Sequence, residues 1–175
     1  MKKILIAYYS RRGLNYVNGS IVNLKEGNTE VIARKIADQL EADVFQIDTV
    51  KSYPLDYMET TEVSKQELRA NVRPELTAKV EQMDDYDVII LGYPNWWGTM
   101  PMAVFHFLEQ YDFAGKTIVP YCTHEGSKMG HSVADIKKLC LDANVTMGVA
   151  IHGATAVYAN KEVEQIVKLA NQINI

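Results

Sequence analysis

Three short stretches of this sequence concentrate residue types that hold anions and flat rings. The first is split: Ser10-Arg11-Arg12 ends an apolar run, and Gly27-Asn28-Thr29 stands directly before a helical pattern. Asn28 and Thr29 are helix-capping residues, and the free N–H groups of a first helical turn suit a phosphate, as does the Ser10 hydroxyl. The same residues also make a plain N-cap with no ligand. Arg11 and Arg12 either neutralise phosphate charge or point into solvent. The second stretch, YPNWWGTMPM, sets Asn95, Trp96 and Trp97 between Pro94 and Gly98. Flat indole rings suit stacking on a planar ligand, although the pair would also serve to cap the core or to form a dimer contact. The third, CTHEGSKMG, carries Thr123, Gly126, Ser127 and Gly130, whose small size lets backbone amides approach a ligand edge. An ordinary glycine-containing turn is the alternative there. His124 either passes on a proton or is a solvated loop histidine. Phosphate donors, planar aromatics and close-approach backbone together fit a mononucleotide with a flat tricyclic ring.

These stretches do chemistry only if the fold brings them to one edge. Continuous apolar runs at Ile4–Tyr9, Val44–Ile47, Val88–Leu91, Ile118–Tyr121 and Met147–Ile151 read as strands buried on both faces. Helical spacing marks Thr29–Leu40, Met102–Gln110, Val133–Leu141 and Glu162–Ile173. Thr60–Met83 also reads as helical, interrupted at Pro74, which suits the first turn of a second helical piece. Alternation of strand and helix predicts an α/β sheet with helices on both faces, and five strands favour the doubly wound order 2-1-3-4-5. That order places all three stretches at the carboxyl ends of the strands. Between the first strand and the first helix lie roughly twenty residues, far more than such a loop usually takes. Asn18-Gly19 between apolar residues is a strong hairpin signal, so a β-hairpin inserted over about residues 13–26 is expected, with Gly13 and Gly19 outside the phosphate site. Tyr53, Tyr57, Glu59 and Glu62 fall in the connection after the second strand and read as a solvated connector. Met100 and Met102 read as packing at the start of the next helix.

The chain has 175 residues, enough for one domain (1–175) with a full core. A formal net charge of -4 argues against nucleic acid or an anionic membrane as the main partner. Two cysteines make neither a disulfide framework nor a metal site, and no apolar run reaches the length of a signal-peptide core or a membrane span. A cytoplasmic protein is therefore expected. A phosphoryl-accepting receiver domain would need an acidic pair after the first strand, where this chain has Ser10-Arg11-Arg12. A cysteine phosphatase would need Arg where Lys128 follows Cys122, and Glu125 would repel its substrate. A ligand-free interaction module, with the tryptophans as an oligomer contact, is a further reading.

The loops Ser10…Gly27-Asn28-Thr29, Pro94-Asn95-Trp96-Trp97-Gly98 and Thr123-His124-Glu125-Gly126-Ser127 resemble those of the flavodoxin family. The resemblance covers nearly the whole chain. It implies the flavodoxin fold, a five-stranded parallel sheet in a three-layer sandwich, non-covalent FMN, and electron transfer as the activity. An FMN oxidoreductase using NAD(P)H or a quinone is the alternative. It also implies a redox partner protein or a small-molecule acceptor such as a quinone. Carried over by position, Ser10, Asn28 and Thr29 would hold the phosphate, with Arg12 and Gly27 nearby. Pro94, Asn95, Trp96, Trp97 and Gly98 would line the isoalloxazine, and Gly98 would allow a redox-linked peptide change. Thr123, His124, Gly126, Ser127 and Gly130 would border its other edge. The chain departs from the family pattern in splitting the phosphate loop and in placing Glu125 where a glycine is usual. Beside the ring, Glu125 would lower the flavin potential, because a like charge disfavours the anionic reduced form.

Overall fold

The structure is a computed structural model and describes residues 2–172. In chain order its strands are β1 (Ile4–Tyr8), β2 (Gly13–Val17), β3 (Ser20–Leu24), β4 (Asp43–Gln46), β5 (Val88–Pro94), β6 (Thr117–His124), β7 (Asn144–Val145) and β8 (Val149–His152). Its α-helices are α1 (Asn28–Ala37), α2 (Tyr57–Ala70), α3 (Met102–Glu109), α4 (Ser132–Leu139) and α5 (Asn160–Asn171). The main sheet is parallel throughout in the order β4-β1-β5-β6-β7, and β8 continues the last strand along β6. In terms of the five main strands this is the expected 2-1-3-4-5.

Residues alternate across each strand and feed two cores. Leu5, Ala7, Ile89, Leu91, Ile118 and Cys122 meet Phe107 of α3 and Ile136 of α4 on one face. Ile4, Ile6, Val88, Ile90 and Val119 meet Ile32 and Ile36 of α1 and Val163 and Ile166 of α5 on the other. Each fully buried aliphatic side chain contributes about 1.5–3 kcal/mol by leaving water, so these two layers fix the sheet and, with it, the strand ends.

Two expectations are corrected. The stretch after Pro74 forms no second helix; α2 begins at Tyr57 and stops at Asn71, which adopts a left-handed φ of 52°. Beyond it the backbone pairs with the segment that follows β4: Val50 N–H donates to Glu75 O at 2.9 Å and Thr77 N–H to Asp48 O at 3.0 Å. With those groups taken, only a 3-10 turn at Met83–Asp85 remains helical. The last strand begins earlier than Met147 and is broken between β7 and β8. Met147 is exposed, and Gly148 lies so close to the Met129 side chain that a Cβ there would sit 2.3 Å from it. The other helices agree with expectation within a few residues, and Ile173 lies outside the described residues.

The insertion is the expected hairpin. β2 and β3 pair antiparallel through a two-residue turn at Asn18 (φ 49°) and Gly19 (φ 86°), the left-handed pair such a turn requires. A lone two-stranded ribbon is marginal in water, and this one is tied down. Tyr16 stacks on Tyr57 of α2 at 6.2 Å between ring centres. Among the described residues no helix is long and apolar enough to cross a membrane.

Candidate cofactor site

The first loop assembles around a glycine. Gly27 caps α1 without a side-chain bond, and the capping oxygen comes from Ser10, whose Oγ accepts the Glu30 N–H at 3.1 Å. A Cβ on Gly27 would stand 2.1 Å from that oxygen, so only glycine lets the strand end reach the helix. The two halves of the split motif thus meet. Among the described residues the backbone amides of Asn28 and Thr29 have no acceptor. These amides, at the positive end of α1, form an anion site beside the Ser10 hydroxyl. The Thr29 side chain instead shares a buried 2.7 Å hydrogen bond with the Thr123 hydroxyl, which couples the first loop to the third. Tyr121 OH donates to Thr29 O at 3.0 Å and holds the same turn from below.

The two arginines separate. Arg12 forms a two-pronged ion pair with Glu30 on the outer surface of α1, and its hydrogen bond holds the Glu30 carboxyl below its usual range. It lies outside the cleft that Ser10 and Asn28 line. Arg11 lines that cleft instead. Its Nε donates to Leu14 O at 3.0 Å and its Nη2 to Pro54 O and Leu55 O at 3.0 and 3.1 Å. It bolts the hairpin base to the chain before α2.

The tryptophans separate too. Trp97 (φ 58°) and Gly98 (φ 84°) form a tight turn closed by the Trp96–Thr99 bridge. Trp96 turns inward, edge-on to Tyr9 at 5.3 Å and Tyr53 at 5.2 Å. Trp97 turns outward to α2, its Nε1–H donating to Thr61 O at 3.0 Å and Ser64 Oγ at 3.1 Å, with the Lys65 ammonium over the ring. Asn95 is the organiser of the loop. Its Oδ1 accepts Gly98 N–H at 3.0 Å and its Nδ2 donates to Lys128 O at 2.9 Å. The Trp97–Gly98 peptide, expected to be mobile, is therefore tethered by a side chain.

In the third loop, Gly98 O accepts His131 N–H at 2.8 Å, and a Cβ on Gly130 would lie 2.1 Å from that carbonyl. Gly130 thus joins two loops rather than facing the cleft. Gly126 and Ser127 also lie outside the cleft lining. Gly126 N–H donates to His124 Nδ1 at 2.9 Å, and burial, then the neighbouring His152, lowers the His124 pKa and favours the neutral ring. Burial pushes the Cys122 thiol far up, which removes any thiolate phosphatase role.

The expected residues Ser10, Asn28, Thr29, Pro94, Asn95, Trp96, Thr123 and His124 line one cleft, joined there by Arg11, Asn15, Tyr16, Tyr57, Glu125 and Gly153. A second cleft adjoins it between α2 and Trp97, sharing Arg11, Asn15, Tyr57, Asn95 and Trp96. Tyr57, read from the sequence as part of a solvated connector, and Asn15, in the inserted hairpin, line the cleft although neither lies on a strand-end loop of the sheet; the turn signal Asn18-Gly19 is the pointer to Asn15. Glu125, expected near a ring edge, turns its carboxylate toward Asn28 and the hairpin tip. The donor set fits a phosphate monoester carrying a flat ring: unpaired helix amides and the Ser10 hydroxyl for the phosphate, and the aromatic side chains of Tyr16, Tyr57 and Trp96 for the ring.

Comparison with known proteins agrees with this geometry. The flavodoxin family model matches residues 3–167. A provisionally assigned flavoprotein from Bacteroides eggerthii is 28% identical, with 97% of this chain and 98% of that one covered and a TM-score of 0.75. Its counterpart from Bacteroides uniformis is 26% identical over 95% and 98%, with a TM-score of 0.73. A Lactobacillus acidophilus flavoprotein, solved in complex with FMN, shares 21% identity over 85% and 91%, at a TM-score of 0.63. No curated protein matches the chain. With the fold, the strand-end loops and the family match in agreement over nearly its entire length, the chain belongs to the flavodoxin family.

Proposed function

We propose that the protein binds FMN non-covalently in the cleft at the carboxyl ends of β1, β5 and β6 and transfers electrons through it. The observation that carries this reading is the convergence of two unpaired α1 amides, the Ser10 hydroxyl and an aromatic wall on one cleft. Bound FMN supplies the one- and two-electron chemistry, and the protein supplies binding, orientation and electrostatics. Ser10, Asn28 and Thr29 hold the phosphate through backbone amides and a hydroxyl. Asn95 and Trp96 fix the wall against which the ring lies, and Tyr9 and Tyr53 keep Trp96 in place from behind. The Lactobacillus structure with FMN, a more distant relative, supports the choice of cofactor.

A flavin reductase acting on a small molecule is the second reading, favoured by the adjoining cleft between α2 and Trp97, which leaves room beside the aromatic wall. The test has two stages. Purified protein incubated with FMN and desalted should show the bound-flavin visible spectrum; a colourless sample would overturn FMN binding. Steady-state turnover of NADPH with a quinone then divides the readings, since a carrier gives none on its own.

A further inference from the structure

Glu125 is the acidic side chain that lines the cleft beside the unpaired amides of Asn28 and Thr29. Its Oε2 accepts the Asn18 N–H at the hairpin tip at 2.9 Å and lies 3.8 Å from His152 Nε2. Its Oε1 is sealed from solvent and, among the described residues, has no hydrogen-bond partner. The backbone makes room for it: a Cβ on Gly153 would stand 2.7 Å from Oε1 and 2.6 Å from Asn28 Nδ2. A buried carboxylate oxygen without a donor is costly, so its position calls for a donor brought by a ligand. A phosphate dianion brings none and repels the carboxylate. A polyhydroxy chain brings several, and such a chain must cross this region if a phosphate lies at α1 and a flat ring at Trp96.

We propose that Glu125 is a two-handed clasp: one oxygen holds the hairpin tip over the cleft, and the other turns out from its place against Gly153 as the ligand enters and accepts a hydroxyl of the sugar-alcohol chain of the flavin. This rests on the FMN reading above. The clasp makes hairpin closure and cofactor binding favour each other, because either donor helps to orient the carboxylate for its neighbour. It also predicts recognition of the chain and not of the phosphate, so riboflavin feels it as well as FMN.

The test titrates wild type, Glu125→Gln and Glu125→Ala with FMN and with riboflavin, read by quenching of flavin fluorescence. Exchange of the Asn18 amide is followed by NMR in the ligand-free protein. A charged hydrogen bond of this kind is worth roughly 10–100-fold in affinity. Glu125→Ala should lose affinity of that order for riboflavin and also lose affinity for FMN, and the Asn18 amide should exchange faster. Glu125→Gln keeps the shape but offers one acceptor for two donors, and should fall between. Tighter FMN with unchanged riboflavin in either variant would show a carboxylate that only repels phosphate, and overturns the clasp. Unchanged affinity for both ligands, or an unchanged Asn18 exchange rate, overturns it as well. Wild type that binds neither flavin overturns the FMN reading itself, and the clasp with it.

Discussion

Ser10 and Asn95 each do for the site what a backbone alone cannot. Ser10 supplies the capping oxygen that Gly27 lacks, and removing a cap of this kind costs about 0.5–2 kcal/mol. Ser10→Ala should lower the unfolding free energy by that amount, read as a lower urea midpoint. It should also weaken FMN more than riboflavin, because the hydroxyl borders the helix amides; equal weakening in the two titrations would remove Ser10 from the phosphate site. Asn95 bridges two loops, with Gly98 N–H on its oxygen and Lys128 O on its nitrogen. Asn95→Ala should free the Trp97–Gly98 turn, whose left-handed Trp97 is already a strained choice at φ 58°. We expect FMN affinity to fall by roughly 2–12-fold, the worth of one neutral hydrogen bond. Backbone NMR of residues 96–99 should broaden in parallel, and sharp unchanged signals would count against the tether.

At the scale of elements, the sheet and the strand-end loops could be read from the chain, and the neighbours of the loops could not. Doubly buried strands such as Val88–Leu91 announce themselves as apolar runs, and the type of turn at Asn18-Gly19 follows from which residues tolerate positive φ. Local rules say nothing about which of two adjacent arginines faces the cleft, since Arg11 is drawn in by carbonyls of Pro54 and Leu55, more than forty residues away. Pro74 misled for a similar reason: its local preference for a helix start yields to pairing of its neighbours with Asp48 and Val50. The hairpin is the element with the most separable role. Neither core contains a residue from 13–24, and Gly13 pairs with Leu24 at the base. Replacing residues 13–24 with Gly-Gly should therefore leave the far-UV spectrum unchanged and the melting temperature within a few degrees. FMN dissociation should accelerate, read by stopped-flow transfer to excess apo-protein scavenger. A shortened chain that fails to fold would show that the ribbon is structural after all.

For the molecule as a whole, cofactor binding and acid stability draw on the same loops. A ligand held only by the folded state at a hundred times its Kd adds about 2.7 kcal/mol, so excess FMN should raise the melting temperature by roughly 5–10 °C for a chain of this size. His124 adds a pH term to the ligand-free protein. Burial and the neighbouring His152 lower its pKa from the ordinary value of 6.5. The unfolded chain then binds the proton more readily than the folded one, so acid favours unfolding. The stabilising contribution of neutral His124 is present above pH 6.5 and is lost as pH falls through its lower folded value. His124→Asn retains a polar side chain and removes the titration. Its urea midpoint should decline less steeply than wild type below pH 6.5, with the two curves parallel above it. Curves that stay parallel across the acid range would show that His124 titrates as it does in the unfolded chain.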